Sequence, residues 1–153
     1  MDDAPGTAVI EALIAAVNRH DVEGIVAQFA LDVRSDTPAH PARSFVGDDQ
    51  VRRNWTGILG SIGELEARLL ATATTPRTPD RTETVWAEIA FDGRRPDGSP
   101  WRMRGVTVNE VVDHRIAALR FYLEPVEATG ADADGAVRGL TQDATVASMG
   151  GSR

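Results

Sequence analysis

The sequence predicts an α+β domain, and three observations lead there. Apolar residues recur at helical spacing through about the first sixty positions. From residue 65 to 124 they recur at a spacing of two. Between the regimes lies a stretch broken by Gly57, Gly60 and Gly63. Helices grouped ahead of strands, rather than alternating with them, imply helices packed on an antiparallel sheet and argue against a parallel α/β fold.

The elements follow in order. Ile10, Leu13, Ile14 and Val17 fall at i, i+3, i+4 and i+7 and predict a helix from Thr7, ended by Asn18-Arg19-His20. Asp21 can accept from free backbone N–H groups and cap a second helix carrying Val22, Ile25, Val26 and Phe29. Residues 33–36 predict a short strand, and Pro38 and Pro41 then force an irregular loop. Gly47-Asp48-Asp49 opens a third helix, with an aspartate as its cap. Val51, Trp55, Ile58, Leu59 and Ile62 form its stripe, and it should stop near Ser61.

The rest alternates. Leu65, Ala67, Leu69, Ala71 and Ala73 share one face of a strand. Val85, Ala87, Ile89 and Phe91 share one face of the next, opposite Thr84, Trp86 and Glu88. Residues 92–100, DGRRPDGSP, are turn formers. A final hairpin pairs residues 102–112 with 116–124 across Asp113-His114. Its first strand carries Met103, Gly105, Thr107, Asn109 and Val111 on one face; Val106, Val108 and Val112 lie on the other. Its second puts Ile116, Ala118, Arg120, Tyr122 and Glu124 in phase. Residues 127–153 have little apolar content and predict a disordered tail behind a domain at 7–126, or else a segment closing over a pocket or a partner subunit.

Composition removes many chemistries. There is no cysteine, so no disulfide, thiol nucleophile or sulfur-ligated metal. There is no lysine, since all 16 basic residues are arginine, so Schiff bases and a P-loop lysine are excluded. Acid–base candidates are carboxylates, His20, His40, His114 and Tyr122. The histidines lack metal spacing, so no metal is expected, nor any cofactor. A net charge of −7 without a basic patch argues against nucleic acid and anionic membranes. No apolar run reaches membrane length, and the acidic start is unlike a signal peptide, so a cytoplasmic protein is expected.

The hairpin RGVTVNEV…RIAALRFYLEP resembles the last hairpin of the NTF2-like superfamily, in particular its SnoaL-like branch, which holds polyketide cyclases. Ketosteroid isomerases and limonene-epoxide hydrolases are relatives. His114 stands where the turn glycine is usual. The resemblance spans residues 8–126. It implies a cone in which a strongly curved antiparallel sheet wraps three helices around a pocket.

The resemblance also implies site residues. Glu124 stands at the Tyr-x-acid position where the epoxide-hydrolase relatives carry a pocket aspartate. Glu88 stands where they carry the acid of Arg-x-Asp, with Trp86 replacing the arginine, which weakens epoxide hydrolysis. Asp36 lies near the base aspartate of ketosteroid isomerases, and SnoaL-like chains often carry a histidine at the loop of His40. Each has a duller alternative. Glu124 suits an exposed strand end, alternation alone puts Glu88 in solvent, Asp36 suits a turn before proline, and His40 suits a loop surface.

Trp55, Trp86 and Tyr122 are candidates to line an apolar pocket, with Thr107 and Asn109 polar on the pocket side. Arg120, in phase with Glu124, would favour its charged form. The implied function is cofactor-independent acid–base chemistry of the cyclase or isomerase kind on a small hydrophobic or aromatic ligand. Glu124, Glu88 or Asp36 would be the base, and Tyr122, Asn109 or His40 the donor. The alternatives are a noncatalytic dimer that binds a small ligand or a protein partner, and an epoxide hydrolase. A homodimer is expected on the outer face, where Val106, Val108 and Val112 need cover.

Overall fold

The computed structural model of the chain describes residues 5–149. Two helices, α1 (Gly6–Asn18) and α2 (Val22–Val26), lead into strand β1 (Phe29–Asp36). A short 3₁₀ turn (Pro41–Arg43) and strand β2 (Phe45–Val46) precede helix α3 (Asp48–Ser61). Four long strands follow: β3 (Gly63–Thr74), β4 (Thr82–Arg94), β5 (Pro100–Val112) and β6 (Arg115–Pro125). They build one six-stranded sheet in the order β2-β1-β6-β5-β4-β3. The domain is the α+β cone expected, with one correction: the sheet is mixed, because β1 runs parallel to β6.

The helices bury their stripes on the concave side of this sheet. Ile10 and Val17 of α1 and Ile25 of α2 meet Val33, Val85 and Ile116 from the strands, all nearly inaccessible. Asp21 caps α2 as its sequence position implies, accepting from Gly24 N at 2.9 Å. The cap of α3 is Gly47, not an aspartate. Gly47 has φ +102°, and Asp48 and Asp49 fall one step later, in the first turn, where carboxylates complement the helix dipole.

Two polar contacts fix α1 against the sheet. Glu83 is buried at the start of β4, and its Oε2 accepts from Gly6 N at 2.8 Å, satisfying a free N–H of the first turn. At the other end, Asn18 bonds both backbone groups of Ala67. Its Nδ2 donates to Ala67 O at 3.0 Å, and its Oδ1 accepts from Ala67 N at 2.7 Å. His20 Nε2 lies 3.2 Å from Leu65 O. β3 is an edge strand, so these side chains stand where another strand would otherwise pair.

The curvature comes from irregularities in the ladders. Gly105 in β5 has φ +154°, and a Cβ built there would sit 2.1 Å from Tyr122 O, so β6 approaches β5 more closely than any side chain permits. Glu110 pairs with Ala118 and Val111 with Ile116, which leaves Ala117 as an extra residue in β6. Leu70 is likewise extra in β3, because Leu69 pairs with Ile89 and Ala71 with Glu88. The hairpin turn tightens through Asp113 and His114, both at positive φ.

Residues 133–149 form a fourth helix, α4 (Ala133–Met149), where the sequence predicts no regular structure. Asp132 explains its start, since its Oδ1 accepts from Gly135 N at 2.8 Å, and the alanines that follow are strong helix formers. Val137 and Leu140 on it are exposed, so it forms without burying them.

Candidate functional site

The concave sheet face and helices α1 and α3 enclose a cavity of about 260 Å³. Its walls are aromatic: Phe29 from β1, Phe45 from β2, Trp55 from α3, Phe91 from β4, Trp101 from β5 and Phe121 from β6. Trp55 meets Phe91 edge-on, with centroids 5.8 Å apart at 72°, and Phe91 lies 6.2 Å from Trp101. Such packing fixes the ring planes, so the wall is preformed.

Four neutral polar side chains interrupt the apolar surface: Ser35, Thr37, Thr107 and Asn109, all buried. Asn109 is 1% exposed. Its Nδ2 donates to Val85 O at 3.2 Å and to Thr107 Oγ1 at 2.9 Å. A carbonyl only accepts, so this contact fixes the amide's orientation and turns Oδ1 towards other partners. Arg43 and Asn54, both exposed, complete the lining at the mouth.

Of the residues expected at the site, Trp55, Thr107 and Asn109 line the cavity. The others lie elsewhere. Trp86 and Glu88 point from β4 to the outer face, as alternation alone implied, opposite the inward Ala87 and Ile89. Arg120, Tyr122 and Glu124 also face outward, and Leu119, Phe121 and Leu123 take the cavity side. The physical reason is the extra residue Ala117. Ile116 faces the core as expected, but the bulge reverses the phase of every residue after it. Glu88 and Glu124 are therefore exposed acids on the convex face, with β5 between their strands, and form no pair in a shared pocket.

Asp36 fares the same way. It is exposed, while its neighbours Ser35 and Thr37 turn inward in phase with Val33. His40 stands outside the cavity, with Nε2 3.1 Å from Glu124 Oε1; both side chains are well exposed. This pair ties the 37–44 loop to the end of β6. A second tie closes the loop on itself, where Thr37 N donates to Ser44 Oγ at 3.0 Å. Sequence reasoning missed Ser35, Thr37, Arg43 and Trp101. The signal for Ser35 and Thr37 is their two-residue phase with the buried Val33.

The carboxylates whose acidity is perturbed lie away from the cavity, and all move down. An Arg104 hydrogen bond holds Asp92 below the usual carboxylate range, and Arg52 does the same for Glu23. The Thr78 hydroxyl lowers Asp80, and the Ser99 hydroxyl lowers Asp97. Among the described residues no three His, Asp or Glu side chains gather as a metal site, and no helix is long and apolar enough to cross a membrane. Of the three outer valines, Val108 is already buried within the single chain, and Val106 and Val112 are half-buried. The exposed apolar surface on that face centres on Trp86 and Tyr122.

Comparison with known proteins places these features. A family described as the SnoaL-like domain matches residues 10–119. No curated protein matches the sequence. Solved structures share the fold at low identity. One is a Mycobacterium tuberculosis protein in complex with estradiol-17beta-hemisuccinate: TM-score 0.64, 18% identity, 87% of this chain and 98% of that one covered. Another is a Catenulispora acidiphila protein with a ketosteroid isomerase-like fold in complex with trimethylamine: TM-score 0.60, 16% identity, coverage 74% and 84%. A third is a candidate polyketide cyclase from Xanthomonas campestris pv. campestris: TM-score 0.58, 21% identity, coverage 76% and 90%. At these identities the likeness is one of fold.

Proposed function

The chain belongs to the SnoaL-like domain family, and from that premise we propose that its cone binds a small, flat, mainly apolar ligand and performs no acid–base chemistry of its own. One observation carries this reading. Apart from the permanently charged Arg43, the cavity is lined by aromatic and aliphatic side chains and neutral polar groups, with no carboxylate, imidazole or phenol among them. A general base must come within about 2.6–3.2 Å of the proton it removes. Acid–base catalysis of the cyclase or isomerase kind would need Glu124, Glu88 or Asp36 inside, and each faces outward. Removing apolar ligand surface from water against fixed rings instead favours binding, at roughly 25 cal/mol per Å². The steroid ester and the amine held by two proteins of the same fold agree with a ligand-holding cone.

Tryptophan fluorescence tests the reading. In a Trp86→Phe variant the remaining tryptophans, Trp55 and Trp101, both report from the cavity wall. Titration with two- and three-ring aromatic compounds, neutral and charged, is expected to quench or shift this emission saturably. No saturable response up to ~100 μM, where even a ligand of about −5.5 kcal/mol would register, would refute the proposal.

A further inference from the structure

The polar groups of the cavity are not distributed evenly, and their arrangement specifies a ligand class. At the mouth stand donors. Arg43 is the one charged residue in the lining, and among the described residues its guanidinium has no ion pair or hydrogen bond. Asn54, the other exposed residue of the lining, has its Oδ1 accepting from Gln50 Nε2 at 2.7 Å, which leaves its NH₂ group as a second donor. No carboxylate lines the mouth to neutralise this charge.

The inner wall is of the opposite kind. Asn109 Nδ2 is spent on Val85 O and Thr107 Oγ1, so its Oδ1 remains an acceptor. Among the described residues no side-chain N or O sealed from solvent lacks a partner, so that oxygen opens onto the cavity. Thr107 Oγ1 accepts from Asn109, which leaves its O–H free to donate. The inner wall therefore suits a neutral hydroxyl, which both donates and accepts, and would leave an anion there without a counter-charge.

Resting on the reading of the cone as a ligand site, we propose that the ligand is a flat aromatic or polycyclic carboxylate. Its acid group is held at the mouth by Arg43, with Asn54, and a hydroxyl is held at the inner wall by Asn109 and Thr107. Arginine is permanently charged and presents a planar fork matched to a carboxylate. Its loop is held rather than free: the Thr37–Ser44 and His40–Glu124 contacts fix the turn that carries it, so little ordering is needed on binding. At about 260 Å³ the cavity is slightly below the range of about 300–1,000 Å³ usual for drug-sized ligands, which points to a two- or three-ring body.

Calorimetry on the full chain tests this with matched probes. These are a hydroxynaphthoate with its two groups at opposite ends, the corresponding amide, and the naphthoate lacking the hydroxyl. The acid is expected to bind about tenfold tighter than its amide, the advantage of a charge-assisted bidentate contact. That advantage should vanish in Arg43→Gln and survive only in part in Arg43→Lys, which keeps the charge but not the planar fork. Arg43 is exposed, so neither change threatens folding, and an unchanged melting curve would confirm it. The naphthoate without a hydroxyl should bind more weakly than the hydroxy acid. Equal binding of acid and amide would overturn the inference while leaving the apolar site standing. So would an acid preference that persists in Arg43→Gln. Absence of binding by every probe would remove both proposals together.

Discussion

Replacing Gly105 by alanine is the sharpest single perturbation of this cone. The new Cβ would lie 2.1 Å from Tyr122 O and 2.7 Å from Leu123 Cα, more than an ångström short of an ordinary contact with the oxygen. Both are backbone atoms, so no side chain can rotate away. Strand β6 must separate from β5, or Gly105 must leave φ +154°, which a side chain rarely adopts. Overpacking costs about 1–3 kcal/mol and a strained backbone about as much again. The sum, about 2–6 kcal/mol, is a large fraction of the roughly 5–15 kcal/mol that stabilises a typical domain. For a chain of this size it should lower the melting temperature by about 10 °C. Because Leu123 lines the cavity, ligand affinity should fall as well. Gly57→Ala is the matched control. Gly57 lies inside α3 with nothing within 4 Å of a built Cβ, so alanine there should stabilise by about 0.5–1 kcal/mol and leave binding unchanged. Urea unfolding of both variants measures the contrast. A Gly105→Ala protein within about 1 kcal/mol of the parent would refute the account of how β5 and β6 are joined.

Three other outcomes are expected. Glu88→Gln and Glu124→Gln, alone or together, should leave ligand affinity within about twofold, since exposed charges on the far face act weakly; a tenfold loss by calorimetry would return them to the site. Asp92 has a folded pKa lowered chiefly by Arg104, so its stabilising contribution is complete above the ordinary carboxylate pKa of about 3.9 and is lost as pH falls through the lowered folded value. Urea midpoints from neutral pH downward should therefore show Asp92→Asn below the parent at neutrality and the two converging in acid; parallel curves would contradict this. Deleting residues 128–153 should move the melting temperature by no more than about 2 °C, because Val137 and Leu140 of α4 are exposed; a larger drop in a thermal scan would show that α4 packs on something.

How much of the site was legible depends on how far the two-residue period of a strand can be carried. Along β4 and β5 it holds without interruption, and Ile89, Phe91, Thr107 and Asn109 fall inward as their spacing implies. Along β6 it holds only at Ile116. One extra residue, Ala117, puts Glu124, Tyr122 and Arg120 on the wrong side of the sheet and brings in Leu119, Phe121 and Leu123. Nothing in R-I-A-A-L announces the bulge, because alanine suits either face. The three acids, Asp36, Glu88 and Glu124, all lie outside the cavity for a related reason. The positions that the family pattern marks look outward in this chain, and alternation along β4 by itself puts Glu88 on that side.

The order of the elements up to β6, β2 apart, the helix stripes, the cap at Asp21 and the α+β class were determined by the sequence itself, because spacing and capping act between residues near one another in the chain. The parallel pairing of β1 with β6, the phase reversals at Leu70 and Ala117, and the placing of Arg43 and Asn54 in one cavity lining were decided only by the tertiary structure. These depend on which strands lie side by side and where a ladder slips, and that is settled by packing between segments distant in sequence, whose energies no local pattern records.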